Sequence, residues 1–155
     1  MTLAGEVLAS QTFDVELDAV SHVGLPLAEE IVDYADAGNE LVVATASDGA
    51  FARVIFNPAE VIGQKLAAPA EAFETVASRV DGGVELKVTA TSYVRDLFCM
   101  ADKIDAKASV DAGMVSLLPG ESVTLRIDTG SDDDPQSFAA ANVLRSCLLY
   151  TSPSP

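Results

Sequence analysis

TVASRVDGGVELKVTAT, residues 75–91, is the stretch that decides the fold. Within it Val84, Leu86, Val88 and Ala90 alternate with Glu85, Lys87, Thr89 and Thr91. Successive side chains of an extended backbone point to opposite faces, so this period of two predicts a strand with one buried and one wet face. Thr75–Val80 is a second β-prone run, and Asp81-Gly82-Gly83 between the two supplies a turn. Tyr93–Met100 is mostly apolar and suits a more deeply buried strand. Met114–Leu118 and Ser122–Ile127 flank Pro119-Gly120-Glu121, where Pro followed by Gly is the composition of a type II turn. Asp132-Asp133-Asp134-Pro135 reads as a solvated break before a last ordered segment, Phe138–Ser146.

The N-terminal part repeats the β signal less cleanly. In Thr12–Asp18, Phe13, Val15 and Leu17 alternate with Asp14, Glu16 and Asp18, predicting a strand with one wet face. Val20–Leu27 is richer in apolar residues, and Pro26 interrupts pairing there. Ala28–Ala37 suits a short helix or turn. Glu40–Ala46 and Phe51–Phe56 are joined by Ser47-Asp48-Gly49-Ala50, and Asp-Gly between two β runs is a strong hairpin signal. Asn57-Pro58 ends that ladder, and Ile62–Pro69 connects to the second set of strands.

Short strands separated by turn signals predict an all-β chain of tandem immunoglobulin-like antiparallel β-sandwiches, and the resemblance of Gly5-Glu6-Val7-Leu8 to the middle of such a domain implies that the first is truncated at its N-terminal side. The domain reading is 1–66 for the partial sandwich, 67–72 for a linker, 73–146 for a complete C-terminal sandwich and 147–155 for a tail. The chain has no Trp and so lacks the Cys-Trp-Cys core of antibody domains.

Composition narrows the function. The 155 residues carry 24 acids against 9 bases, a formal net charge of -15. Such a surface repels phosphate backbones and anionic membranes, so neither nucleic acid nor membrane is an expected partner. A hydrophobic content of 49% is enough for a packed interior and argues against disorder. No basic start precedes an apolar run, and no apolar stretch is long enough to span a bilayer, so a cytoplasmic location is expected. Two cysteines do not make a disulfide framework, and Cys99, among Leu97, Phe98 and Met100, reads as a small buried apolar residue.

Val84–Ile127 resembles the last immunoglobulin-like domain of bacterial, actinobacterial-type β-mannosidases of glycoside hydrolase family 2. The resemblance rests on Val88-Thr89-Ala90, Val94-Arg95-Asp96-Leu97, Ala101-Asp102-Lys103-Ile104-Asp105 and Leu117-Leu118-Pro119-Gly120-Glu121-Ser122, in that order. Gly5-Glu6-Val7-Leu8 and Phe51–Phe56 resemble the middle and the closing strand of the preceding domain in those enzymes. The resemblance covers most of residues 3–146. It implies a parent that removes terminal non-reducing β-linked mannose with retention, using two glutamates on a TIM barrel outside this chain. These residues would then be its non-catalytic C-terminal support, packed on the barrel, with the β-mannoside a substrate of the parent alone. The alternative is a free-standing β-sandwich module that binds carbohydrate or protein. Residues 147–155, CLLYTSPSP, are what TGTCTCTTATACACATCTCCGAGCCCA encodes. That string looks like a sequencing-library transposase adapter, so the tail is expected to be foreign to the protein.

No residue stands out as catalytic, cofactor-binding or metal-ligating. Gly38-Asn39-Glu40 has the Asn-Glu order of a family 2 acid/base residue, but it opens the β run Leu41-Val42-Val43 and reads as a polar turn. A retaining glycosidase also needs a second carboxyl about 5 Å away. His22, the one histidine, has no nucleophile elbow beside it and suits a surface or packing role. The run Asp132–Asp134 lacks the spacing and the central Gly of a calcium loop. Arg53, Arg79, Arg95 and Arg126 are dispersed and suit local pairing with acids; Arg95-Asp96 could also anchor a domain interface. Tyr34, Tyr93 and Tyr150 are too scattered to form a sugar-stacking platform.

Overall fold

The computed structural model of the chain describes residues 1–147. All but the first residue of the expected adapter tail falls outside them, as does Tyr150. The chain divides into two compact units. The first comprises Met1–Thr2 and Glu6–Gln64; the second comprises Leu3–Gly5 and the chain from Lys65 onward.

The first unit holds a helical turn, α1 (Glu29–Val32), and two strands, β1 (Val42–Ala44) and β2 (Val54–Phe56). The strands pair antiparallel with Val43 opposite Ile55. The Asp-Gly signal is answered: Gly49 has φ +74°, and Asp48 Oδ1 accepts from the Ala50 N–H at 3.0 Å. The ladder is shorter than the runs Glu40–Ala46 and Phe51–Phe56 predict, because pairing stops well short of the turn. At its other end Met1 and Leu41 exchange two hydrogen bonds of 2.9 Å, and Thr2 bridges Glu40.

Thr12–Asp18, expected to be a strand, joins no ladder among the described residues, and neither does Val20–Leu27. Alternation fixes the faces of an extended chain, but a strand also needs a neighbour to receive its N–H and C=O groups. The sandwich expected for residues 1–66 is thus represented by one two-stranded ladder. Leu41 is the single buried large apolar residue of the first unit among those described.

The second unit begins with α2 (Pro69–Ala72) and continues through β3 (Phe73–Val80), β4 (Gly83–Ala90), β5 (Val94–Cys99), β6 (Ser109–Val110), β7 (Val115–Leu117), β8 (Ser122–Asp128) and β9 (Leu144–Arg145). One antiparallel sheet has the order β3-β4-β8-β6; the other has β7-β5-β9. The β3–β4 hairpin turns through Asp81 and Gly82, with Val80 opposite Gly83 and Gly82 at φ +73°. β4 behaves as its sequence requires: Val84, Leu86 and Val88 are fully buried, and Glu85 and Lys87 are exposed. These side chains meet Leu125 and Ile127 of β8, Val94 and Leu97 of β5, Leu117 of β7 and Leu144 of β9 in one core. The second unit is therefore mostly β, with two antiparallel sheets contributing to a single apolar core.

Pro119-Gly120 forms the expected type II turn, with Gly120 at φ +85° and the Glu121 N–H donating to Leu118 O at 3.0 Å. The turn joins strands of different sheets, β7 and β8, and is fastened to β4 by hydrogen bonds between Gly120 N and Ala90 O and between Ala90 N and Glu121 O.

Residues 67–72, read as a linker, are part of this unit instead. Ala72 is buried in the core, and its carbonyl accepts from the N–H groups of Thr91 and Ser92. Alanine-rich sequence resembles linker composition in one dimension, but here Ala72 lies in the core with Ala67 packed against it. Phe138, in the last ordered segment, is fully buried in a 3-10 turn over Pro135–Ala139.

Two measurements test this core. Leu86→Ala removes a fully buried side chain from the middle of β4. It should lower the unfolding free energy of the second unit by about 3 kcal/mol in a urea titration. At the hairpin, a Cβ on Gly83 would lie 2.0 Å from Ile127 O, whereas one on Gly82 meets no atom closer than 3.9 Å. Gly82→Ala should therefore cost only the ~1–2 kcal/mol of a left-handed non-glycine residue. Gly83→Ala forces β4 from β8 and should cost about 3 kcal/mol or more.

Candidate functional site

The residues weighed for chemistry are each engaged in local structure. Glu40 is buried at the end of its turn, and its Oε1 accepts from the Asp36 N–H at 2.7 Å while the Asn39 N–H donates to Asp36 O at 2.8 Å. Gly38-Asn39-Glu40 is thus a turn leading into a strand, with the carboxylate closing it. His22 is exposed. Tyr93 is buried beside β5, where its N–H donates to Leu3 O at 2.8 Å. Its ring is not available to stack on a ligand.

The acid run is a capped loop. Asp134 Oδ1 accepts from the Gln136 N–H at 3.0 Å and so caps the 3-10 turn, with Pro135 in its first turn. Ser131 donates to Asp133 Oδ2 at 2.6 Å. Arg79 reaches across from β3 and donates to the carbonyls of Ser131 and Asp133. Its partners are therefore backbone oxygens of the loop. Arg126 pairs with Glu85 at 3.6 Å, and Arg95 with Asp96 at 3.3 Å beside a bulge in β5 where Asp96 has φ +52°. Among the described residues no group of three or more His, Cys, Asp or Glu is arranged to hold a metal ion. No helix among them is long and apolar enough to cross a membrane.

Two groups in the second unit have shifted acidities. The Lys107 N–H, the Thr129 hydroxyl and the Gly130 N–H all donate to Asp105 and hold its carboxyl below the ordinary range. Asp105 thereby pins two loops together. Nothing in the run Ala101–Asp105 announces this, because Thr129 and Gly130 lie more than twenty residues away. Burial pushes the Cys99 thiol up to about 11, with the neighbouring Asp102 charge adding to the shift.

The feature that does stand apart is a surface of the first unit. Most of the exposed large apolar side chains among the described residues belong to this unit, while the second contributes Val76 and Met114. The densest group is Val15, Leu17, Val20, Val23, Leu25 and Leu27. These lie in an excursion closed at its neck by one side chain. Gln11 donates through Nε2 to Pro26 O at 3.5 Å and accepts at Oε1 from the Ala28 N–H at 3.0 Å. An amide side chain can replace a ladder partner in this way because it carries the donor and acceptor of a peptide group. A structureless loop of this length is unusual in a compact protein and tends to be functional. Sequence reading missed Gln11, whose role depends on a segment that returns fifteen residues later.

No family model matches the chain, and no curated protein matches it.

The Cys99 environment gives a pH test. Its folded acidity lies above the ordinary value of 9.0, so the protonated thiol favours folding. That contribution is complete below pH 9.0 and is lost as pH rises toward about 11. Melting temperature should fall over that interval, and Cys99→Val should flatten the fall. Ellman's reagent at pH 8 should modify Cys99 only after denaturant is added.

Proposed function

We propose that this chain is the non-catalytic C-terminal part of a cytoplasmic retaining exo-β-mannosidase of glycoside hydrolase family 2, built from immunoglobulin-like domains that support the barrel. The observation that carries this reading is the contrast between the units. The second encloses a core between its sheets. The first leaves its apolar side chains in water around a two-stranded ladder, and an isolated ladder of that size is marginal by itself. Exposed apolar surface of this kind marks a face that other protein covers. In the proposed parent that cover is the catalytic barrel, and the role of these residues is to buttress it. The sequence resemblance in Val84–Ile127 supplies the family, and the alternation of strands and turns there has the spacing such a domain requires. The same reading accounts for Glu40 as a turn residue and places both catalytic glutamates upstream.

The test is to read the frame upstream of Met1 in adapter-free genomic DNA and assay the reconstructed protein on p-nitrophenyl β-D-mannopyranoside. An in-frame barrel with an Asn-Glu pair and a second glutamate, and release of nitrophenol by the rebuilt protein but not by this chain, is the expected result. A stop codon immediately before Met1 would overturn the proposal and leave a free-standing binding module as the reading to pursue.

A further inference from the structure

The apolar excursion closed by Gln11 has a second property, which specifies what covers it. Before Arg53 the chain contains no Lys or Arg at all. Over the same residues it carries Asp14, Glu16, Asp18, Glu29, Glu30 and Asp33, all exposed. The exposed apolar side chains therefore lie within a field of one sign. In Thr12–Asp18 the apolar and acidic residues alternate in sequence, and Val15, Leu17, Asp14, Glu16 and Asp18 are all exposed, with Phe13 half-buried.

We propose that Thr12–Asp18 is a docking strand, which adds to the edge of a protein sheet that presents Lys or Arg opposite Asp14, Glu16 and Asp18 and apolar residues opposite Val15 and Leu17. Three arguments lead to this occupant. A segment that joins no ladder among the described residues leaves backbone donors and acceptors for a sheet edge up to Leu17, while the Asp18 carbonyl accepts from Ser21 and ends the stretch. Directly opposed charges of unlike sign stabilise a strand pair and like charges oppose it, so the partner edge is cationic. A second copy of this chain is the wrong partner, because pairing Thr12–Asp18 with itself sets acid against acid. Desolvating Val15 and Leu17 then supplies affinity, and the charges supply register and selectivity. The inference does not rest on the β-mannosidase reading, because a closed barrel offers no strand edge and the partner sheet is separate from it.

The experiment uses the full chain and three fluorescein-labelled synthetic peptides, followed by anisotropy. One alternates Lys with Val over seven residues, one has Glu in place of Lys, and one keeps the Lys/Val composition with the lysines gathered at one end. The alternating Lys peptide should bind at least about tenfold tighter than the other two, and raising NaCl from about 0.05 to 0.5 M should weaken it. Val15→Thr with Leu17→Thr should weaken binding about tenfold while leaving the salt dependence in place. Asp14→Asn, Glu16→Gln and Asp18→Asn together should weaken binding and reduce its salt dependence. These positions are exposed, and unchanged circular dichroism verifies that each variant keeps its fold. Equal binding of the gathered-lysine peptide would reduce the effect to net charge and overturn the proposal. So would equal binding of the Glu peptide, or no binding of the alternating Lys peptide.

Discussion

Burial of Val84, Leu86 and Val88 along one face of β4 is the constraint on which the rest of the ordered structure depends. β4 is hydrogen-bonded on both sides, to β3 and to β8, along nearly its whole length. Its inward side chains share a core with residues from β5, β7, β8 and β9. A one-residue slip of this strand would turn Glu85 and Lys87 inward and Leu86 outward, so the core fixes the register of both ladders at once. Gly83 makes the same point at atomic scale, since the carbonyl of Ile127 occupies the space where any other residue would carry a Cβ.

Loops around this core are held by polar groups that reach across the sequence. Asp105 gathers Thr129 and Gly130, and Arg79 holds the Ser131–Asp133 turn that leads to Phe138. Each pin joins loop backbone that is distant in sequence, and Phe138 lies in the core. The acids of this region are thereby structural, even though their charge is what makes the sequence conspicuous.

In the first unit the same physics gives a different outcome. β1 and β2 bring few apolar groups together, and Leu41 is the one large apolar side chain of this unit that is buried among the described residues. The large side chains that could complete a core are spread along Val7–Leu27 and face water. Packing is cooperative in three dimensions, so a strand sequence without neighbouring strands keeps its pattern and does not acquire a ladder. The charge of this stretch comes from acids alone, and like charges set opposite one another disfavour pairing between copies.

The hydrophobic period of residues 84–90 was sufficient to determine β4, its buried face and the hairpin before it, because a strand's faces follow from local alternation alone. Asp48-Gly49 and Pro119-Gly120 likewise determined their turns, since the backbone at Gly49 and Gly120 lies where glycine is favoured. The polar-turn reading of Gly38-Asn39-Glu40 was legible for the same local reason. Tertiary structure alone decided that β7 and β8 belong to different sheets, that Ala72 is core and not linker, and that Thr12–Asp18 joins no ladder among the described residues. It also decided that Gln11 closes the candidate docking surface. Each of those outcomes depends on which distant segment arrives as a neighbour, and local alternation carries no information about that.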